Sequence, residues 1–233
     1  MSGIGWACGC IETVTLMGNG LNLASLLITL LALGLLPFIA MVVTSYTKIV
    51  IVLGLLKNAL GAQQVPPSTV TNGIALIVSC FIMAPVGMQA YDAAQKMQGD
   101  GNANGANVIT LFEAAREPFR QFLEKHTAER DKAFFMRSAK QIWPPEMAAK
   151  ITPDDLIILA PSFTVSELTS AFKIGFLLYL VFIVVDLIIA NVLMALGLSQ
   201  VTPTNVAIPF KLLLFVAMDG WSLLIHGLIS TYK

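Results

Sequence analysis

The side chains most capable of chemistry in this chain are ionisable groups set inside apolar runs. Asp186 lies mid-run in Leu180–Val192, where a carboxylate at the centre of a bilayer costs several kcal/mol unless it is paired or neutralised. Tyr179, seven residues earlier, shares its helical face and is placed to donate to it. In the last apolar run Asp219, Ser222 and His226 fall within about 60° of one another on a helix, and Lys211 sits one turn after the run begins. Such groups suit a proton or ion path, or they form intersubunit ion pairs and hydrogen bonds that satisfy buried helices. The second reading is favoured, because a relay needs several acids in register and these are isolated. Cys8-Gly9-Cys10 has the spacing of a redox or lipidation pair, although small residues in an apolar terminus explain it equally well. Three cysteines and two histidines make neither a disulfide framework nor a zinc site. No Ser, Cys or Thr has a base and an orienting group beside it, and no glycine-rich phosphate loop is present. His126 reads as a surface residue. The sequence therefore points to no enzyme, no metal and no cofactor.

Composition decides where these groups must sit. Of 233 residues, 56% are hydrophobic and only 12% charged, with mean hydropathy +0.78. Soluble domains run at about 25% charged, so too few polar side chains remain to cover a soluble protein of this size. This predicts an integral, all-α membrane protein. Fourteen Lys+Arg balance fourteen Asp+Glu, which leaves no positive field for nucleic acid. Sixteen of the 28 charges fall between Glu113 and Asp155, so a charged middle separates two apolar ends.

Four apolar spans follow from the pattern. The first, Leu21–Val43, is long enough at ~34 Å to cross a hydrocarbon core, with a kink expected at Pro37. It lacks a basic region before it and is too long for a cleavable signal peptide. Thr44–Leu60 continues as a helical pattern bearing Lys48 and Lys57, ended by Gly61 and Pro66-Pro67. The second span is Val70–Ala90, followed by the Gly/Asn-rich stretch Gly99–Gly105, which reads as an exposed loop. From Val108 to Lys140, Leu111, Phe112, Ala115, Phe119, Phe122 and Leu123 recur at helical spacing, with Glu113–Arg116 and Glu117–Arg120 compensating at i,i+3. Trp143-Pro144-Pro145 breaks that segment. The last two spans are Ile174–Leu196 and Val206–Ser230, joined by Gly197–Pro203. The chain divides into an N-terminal segment 1–20, a first hairpin region 21–91, a charged extracytoplasmic segment 92–165 and a second hairpin region 166–233. Taking Lys48 and Lys57 as a cytoplasmic loop puts both termini and the charged segment outside.

Three sequence blocks resemble the FliP/SctR family, the export-apparatus subunits of bacterial type III secretion systems. The first is Thr44-Ser45-Tyr46-Thr47-Lys48-Ile49 with Leu55–Gly61, Gln63-Gln64 and Pro66-Pro67. The second is Ser166-Glu167-Leu168, Ala171–Phe176, Asp186-Leu187 and Val192-Leu193-Met194. The third is Pro209–Phe215 with Asp219-Gly220-Trp221. The missing signal peptide looks more like the virulence branch than the flagellar one.

The resemblance implies a core subunit of a gate through which unfolded proteins cross the bacterial inner membrane. It implies a homo-oligomer of five copies joined by two smaller membrane subunits, SctS/FliQ-like and SctT/FliR-like, with much of the assembly on the periplasmic side. The apolar spans become helical hairpins packed on neighbouring subunits, and Lys48, Lys57, Glu167, Lys173, Asp186, Lys211 and Asp219 become intersubunit or buried polar groups. Family members often carry a run of methionines between the last two spans as a flexible gasket. Here that place reads Met194, Ala195, Leu196, Gly197, Leu198, Ser199, Gln200, Val201, so Leu198 and Val201 are left to close the pore by apolar contact. The competing class is an ion channel or secondary transporter using Asp186, but a transporter shows inverted repeats and the two halves here do not match.

Overall fold

The computed structural model describes residues 30, 31, 34, 35, 38, 41–61, 66–99, 108–198 and 200–233. Expectations for segment 1–20 with Cys8 and Cys10, for most of the first apolar span with Pro37, for Gln63 and Gln64, for the glycine-rich stretch beyond Gly99 and for Ser199 lie outside these residues. Two compact units divide the chain, Met1–Met41 and Val42–Lys233. In the first, the described residues have helical backbone. All that follows concerns the second.

Helix α1, Tyr46–Leu60, is the buried centre. Ile49, Val52, Leu53, Leu56, Ala59 and Leu60 are each under 5% exposed. They recur at spacings of one, three and four, so the helix buries more than one face. Gly61 ends it in the left-handed region (φ 74°), donating its N–H to Asn58 O at 3.1 Å. Around α1 pack α2, Ser68–Gly99, and a 40-residue helix, α6, Leu156–Ala195. Between them lie α3, Val108–His126, α4, Glu129–Ile142, and the short α5, Pro145–Ala148. The chain closes with α7, Pro203–Ala217, and α8, Gly220–Ser230.

Three elements differ from the sequence reading. The amphipathic segment is two helices, because the chain turns at Thr127-Ala128: Thr127 caps back onto Leu123 O at 2.6 Å and Ala128 donates its N–H to Ser166 Oγ at 3.0 Å. Its apolar stripe does face inward, with Phe122 and Leu123 buried against Leu159 and Phe163. The third span starts at Leu156, not Ile174, and runs unbroken through residue 165, where the charged segment was expected to end. The final span is not one helix: α7 and α8 meet at a 64° bend. Asp219 takes φ 51° at the bend, a conformation Asp tolerates better than most residues. A Cβ on Gly220 would sit 2.4 Å from the Phe215 ring, so only glycine lets the bend close.

At 1.5 Å per residue α6 is ~60 Å long, twice a hydrocarbon core. Its two halves see different surroundings. Ile158, Leu159, Ser162, Phe163, Glu167, Ala171 and Gly175 are buried in the first half, whereas only Phe182 and Leu193 are buried beyond them. α1 runs parallel to it: Lys48 meets Glu167, and Leu55 lies so close to Gly175 that an added Cβ would stand 2.2 Å from Leu55 Cδ1. α2 runs the other way, and Ser79, near the middle of its apolar stretch 70–90, bonds Ser45 at 2.9 Å, one turn before Lys48. The middle of that stretch is therefore level with the part of α6 just before Glu167. The exposed apolar half of α6 is centred about twenty residues further on, so the two apolar stretches are staggered by ~30 Å. Both cannot occupy one hydrocarbon layer.

The Gly175 contact gives a direct check. Gly175→Val should lower stability by about 1–3 kcal/mol through overpacking, read as a lower melting temperature in detergent. Adding Leu55→Ala should recover part of the loss.

Candidate functional site

Two ion pairs tie the helices together, one at each end of α1. At its N-terminal end Lys48 Nζ lies 2.8 Å from Glu167 Oε1, and the side chains are 5% and 3% exposed. The Tyr232 hydroxyl donates to Glu167 Oε2, and Lys48 also sits 4.2 Å from the Tyr232 ring centroid and 3.5 Å from Thr231 Oγ1. Tyr232 in turn stacks on Phe122 and meets His126 edge-on at 5.1 Å. Burial, with Lys125 and Lys48 adding repulsion, pushes the His126 imidazole down to about 4, so it is neutral at pH 7. His126 is thus half-buried in an aromatic cluster rather than a surface residue.

At the other end, Lys211 Nζ donates to Asp186 Oδ2 at 2.6 Å and to Ala59 O at 3.0 Å. Ala59 belongs to the last turn of α1, whose carbonyls have no partner within the helix. Lys211 is buried, while Asp186 is 44% exposed. The partner of Asp186 is Lys211 from α7, not Tyr179, which is exposed. The expected stripe of Asp219, Ser222 and His226 is also broken up: Asp219 lies in the bend, all three are exposed, and no hydrogen bond links them.

The other singled-out residues scatter. Lys57 is half-buried on α1, and Lys173 and Asp219 are exposed; among the described residues none of these three has an ion pair. Lys48 and Lys57 sit on a packed helix, not in a loop, so the topology drawn from them loses its footing. Four of the seven charges pair within one chain and do not by themselves demand a neighbour.

The segment after α6 is the tip of a helical hairpin. Val185, Ile188, Val192 and Leu193 face Val206, Phe210 and Leu214 across an apolar cleft of about 500 Å3. Gly197, at φ 73°, donates its N–H to Met194 O at 3.0 Å, while Leu198 N–H reaches Leu193 O at 3.0 Å. That double bond pattern stops the helix and requires a left-handed residue at Gly197. Met194, Leu198 and Val201 are 66%, 45% and 38% exposed, and Gln200 is exposed too. The tip thus presents apolar side chains that nothing among the described residues covers.

Sequence reasoning missed Tyr232 and the docking of the α3–α4 turn through Ser166, which also donates to Asp131 Oδ2 at 2.6 Å. No periodicity marks either one, since both arise from contacts between distant segments.

These features define an all-α membrane protein: two described helices are long and apolar enough to cross a bilayer, and the bent α7–α8 pair is long and apolar enough only when taken together, as a broken span or a re-entrant loop. The chain belongs to the FliP family, whose model matches residues 27–228. It is 71% identical over 208 residues (89% of this chain, 96% of the relative) to Pathogenicity-related ORF2 of Xanthomonas campestris pv. glycines. It is 68% identical over 216 residues (92% and 100%) to the hypersensitivity response secretion protein HrcR of Ralstonia nicotianae. It is 47% identical over 208 residues (89% and 95%) to the Yop proteins translocation protein R of Yersinia pestis.

Removing one member of the inner ion pair should be costly. Lys48→Met leaves Glu167 buried and uncompensated, at about 3–5 kcal/mol, whereas Tyr232→Phe should cost about 1 kcal/mol. Lys48→Met combined with Glu167→Gln should melt above Lys48→Met alone in thermal denaturation of the detergent-solubilised protein.

Proposed function

We propose that this chain is a core, pore-forming subunit of a type III secretion export gate in the bacterial inner membrane. Five copies assemble with two smaller membrane subunits, SctS/FliQ-like and SctT/FliR-like, and the gate passes unfolded proteins. Membership of the FliP family and the secretion and translocation names of its relatives support the apparatus.

The observation that carries the assembly reading is the stagger of the apolar stretches. The level of α2 is also the level of Lys125, Arg130, Asp131 and Lys173, all of which line one recess beside Glu167. Charged side chains keep that level out of hydrocarbon. Yet α2 exposes Val70, Leu76, Ile77, Phe81 and Met88 there. Apolar surface of that extent outside lipid needs protein to cover it. Neighbouring copies and partner subunits supply that cover, with this half of the molecule on the periplasmic side.

The hairpin tip is the pore-closing segment. Copies converging on the axis bring Met194, Leu198 and Val201 into a dry ring, which gates by dewetting. Replacing Leu198 and Val201 with serine should raise the single-channel conductance of the purified complex without preventing its assembly. Baseline conductance in a normally formed complex places closure in a partner subunit instead.

The Asp186–Lys211 pair gives a second check on the role of Asp186. Asp186→Asn keeps a hydrogen-bond acceptor for Lys211, so assembly and most secretion should survive. Loss of secretion from an intact complex would make Asp186 a proton carrier.

A further inference from the structure

The recess between the α3–α4 turn and α6 has a volume of about 670 Å3. Lys48, Lys125, Arg130 and Lys173 bring it four positive charges, against two negative ones from Asp131 and Glu167, a surplus of two. Lys48 is matched by Glu167, and Asp131 accepts from Ser166. The surplus therefore falls on Lys125, Arg130 and Lys173, which are exposed and, among the described residues, have no ion pair. An apolar groove of about 460 Å3 adjoins the recess and shares Thr169 and Lys173 with it. Its strip of Leu168, Phe172 and Phe176, each four residues from the next, is 38%, 54% and 65% exposed. The cations at this level keep it out of hydrocarbon, so lipid does not cover the strip and protein must.

The opposite signature lies at the far end of the charged half. Between Gln141 and Ile157 the charges are Glu146, Asp154 and Asp155 against Lys150, a surplus of two negatives. None of the three acids has an ion pair among the described residues, and Glu146 and Asp154 are exposed. The same stretch exposes Ile142, Met147 and Ile157, by 78%, 59% and 60%. It is thus apolar with acidic borders, where the recess and groove are apolar with basic ones. A chain cannot seat its own acidic stretch in its own recess. The stretch leads into α6 at Leu156, whereas the recess and groove follow ten to twenty residues further along that same rigid helix, ~15–30 Å away. Another copy can.

We propose that the recess and groove of one copy receive the 141–157 stretch of the next. Met147 and Ile157 lie against Leu168, Phe172 and Phe176, while Glu146 and Asp154 meet Lys125, Arg130 and Lys173. The apolar strip supplies the adhesion, and the charges set orientation and register. The contact joins two different patches, so it repeats head to tail from copy to copy and closes into a ring or rises as a helix. Because the patches are offset along α6, that helix is inclined to the axis of the assembly, or each copy is stepped along it. This inference rests on the proposed assembly of several copies and not on what passes through it.

The test uses the purified complex with its partner subunits. Native mass spectrometry counts the copies of this chain, and a water-soluble carbodiimide couples amines to carboxylates that touch. In the unaltered complex a product of twice the chain mass should appear on denaturing gels. Its linked peptides should join Lys125 or Lys173 to Glu146, Asp154 or Asp155. A photoreactive phenylalanine analogue at position 172 should capture the 141–157 stretch of another copy. Lys173→Glu should lower that capture about five-fold, the upper end for one exposed ion pair, and adding Asp154→Lys should restore it. Several copies without such coupling overturn this contact and leave the assembly standing, whereas a single copy overturns both. That arm needs no variant to fold. Capture of lipid or of a partner subunit from position 172 gives the groove to that occupant and also overturns the proposal.

Discussion

The packing of this protein depends on keeping one short helix, α1, buried with its polar ends satisfied. Its apolar residues are held on several sides, so neither end can reach water freely. Lys48 near the start and the carbonyl of Ala59 near the end each require a partner supplied by a distant segment. Glu167 with Tyr232 answers the first, and Lys211 with Asp186 answers the second. A buried pair gains little over a well-packed apolar substitute, but it is intolerant of losing one member. Its effect is to fix register: α1 and α6 can pair in only one alignment that satisfies both ends. Gly175, which lets Leu55 approach α6 closely, enforces the same alignment by shape.

That alignment gives α6 two different environments. Its first half is enclosed by α1, α3 and α4, carries serine and glutamate contacts to them, and bonds Val42, ahead of α1, through Thr164. Its second half is apolar and largely exposed, apart from Phe182 in the cluster around α1 and the cleft it shares with α7. A helix twice the thickness of a hydrocarbon layer must leave that layer somewhere. The α2 surface at the same level is apolar yet shares its height with lysine and arginine. A single copy exposes more apolar surface than lipid at one depth can cover, which is a property expected of a part rather than a finished molecule.

The hairpin formed by α6 and α7 ends in a compact turn rather than a loose loop. Gly197 stops α6 through two backbone bonds, and Pro203 begins α7 at a position where its missing N–H costs nothing. The tip therefore holds Leu198 and Val201 in defined places. The bend at Asp219-Gly220 turns the returning helix so that Leu224 and Leu228 reach the core around α1 and the terminal Tyr232 reaches Glu167.

The sequence alone determined the helical class, the membrane setting and the family. These follow from local and additive quantities: hydropathy summed over a run, glycine and proline punctuation, and ordered motif blocks. It also located Gly61 as a helix end and Phe122 and Leu123 as an inward stripe, because periodicity and capping depend on near neighbours. It did not reveal that Lys211 rather than Tyr179 meets Asp186, nor that Tyr232 closes over Glu167. Those pairings join residues 25 and 65 positions apart, and no period in the chain encodes such distances. The bend at Asp219 escaped notice for a related reason, since the apolar run continues through it and only the ring of Phe215 against Gly220 reveals it. The stagger of α2 against α6 was decided only in three dimensions. Hydropathy counts residues along the chain, whereas depth is set by which side chains interlock across it.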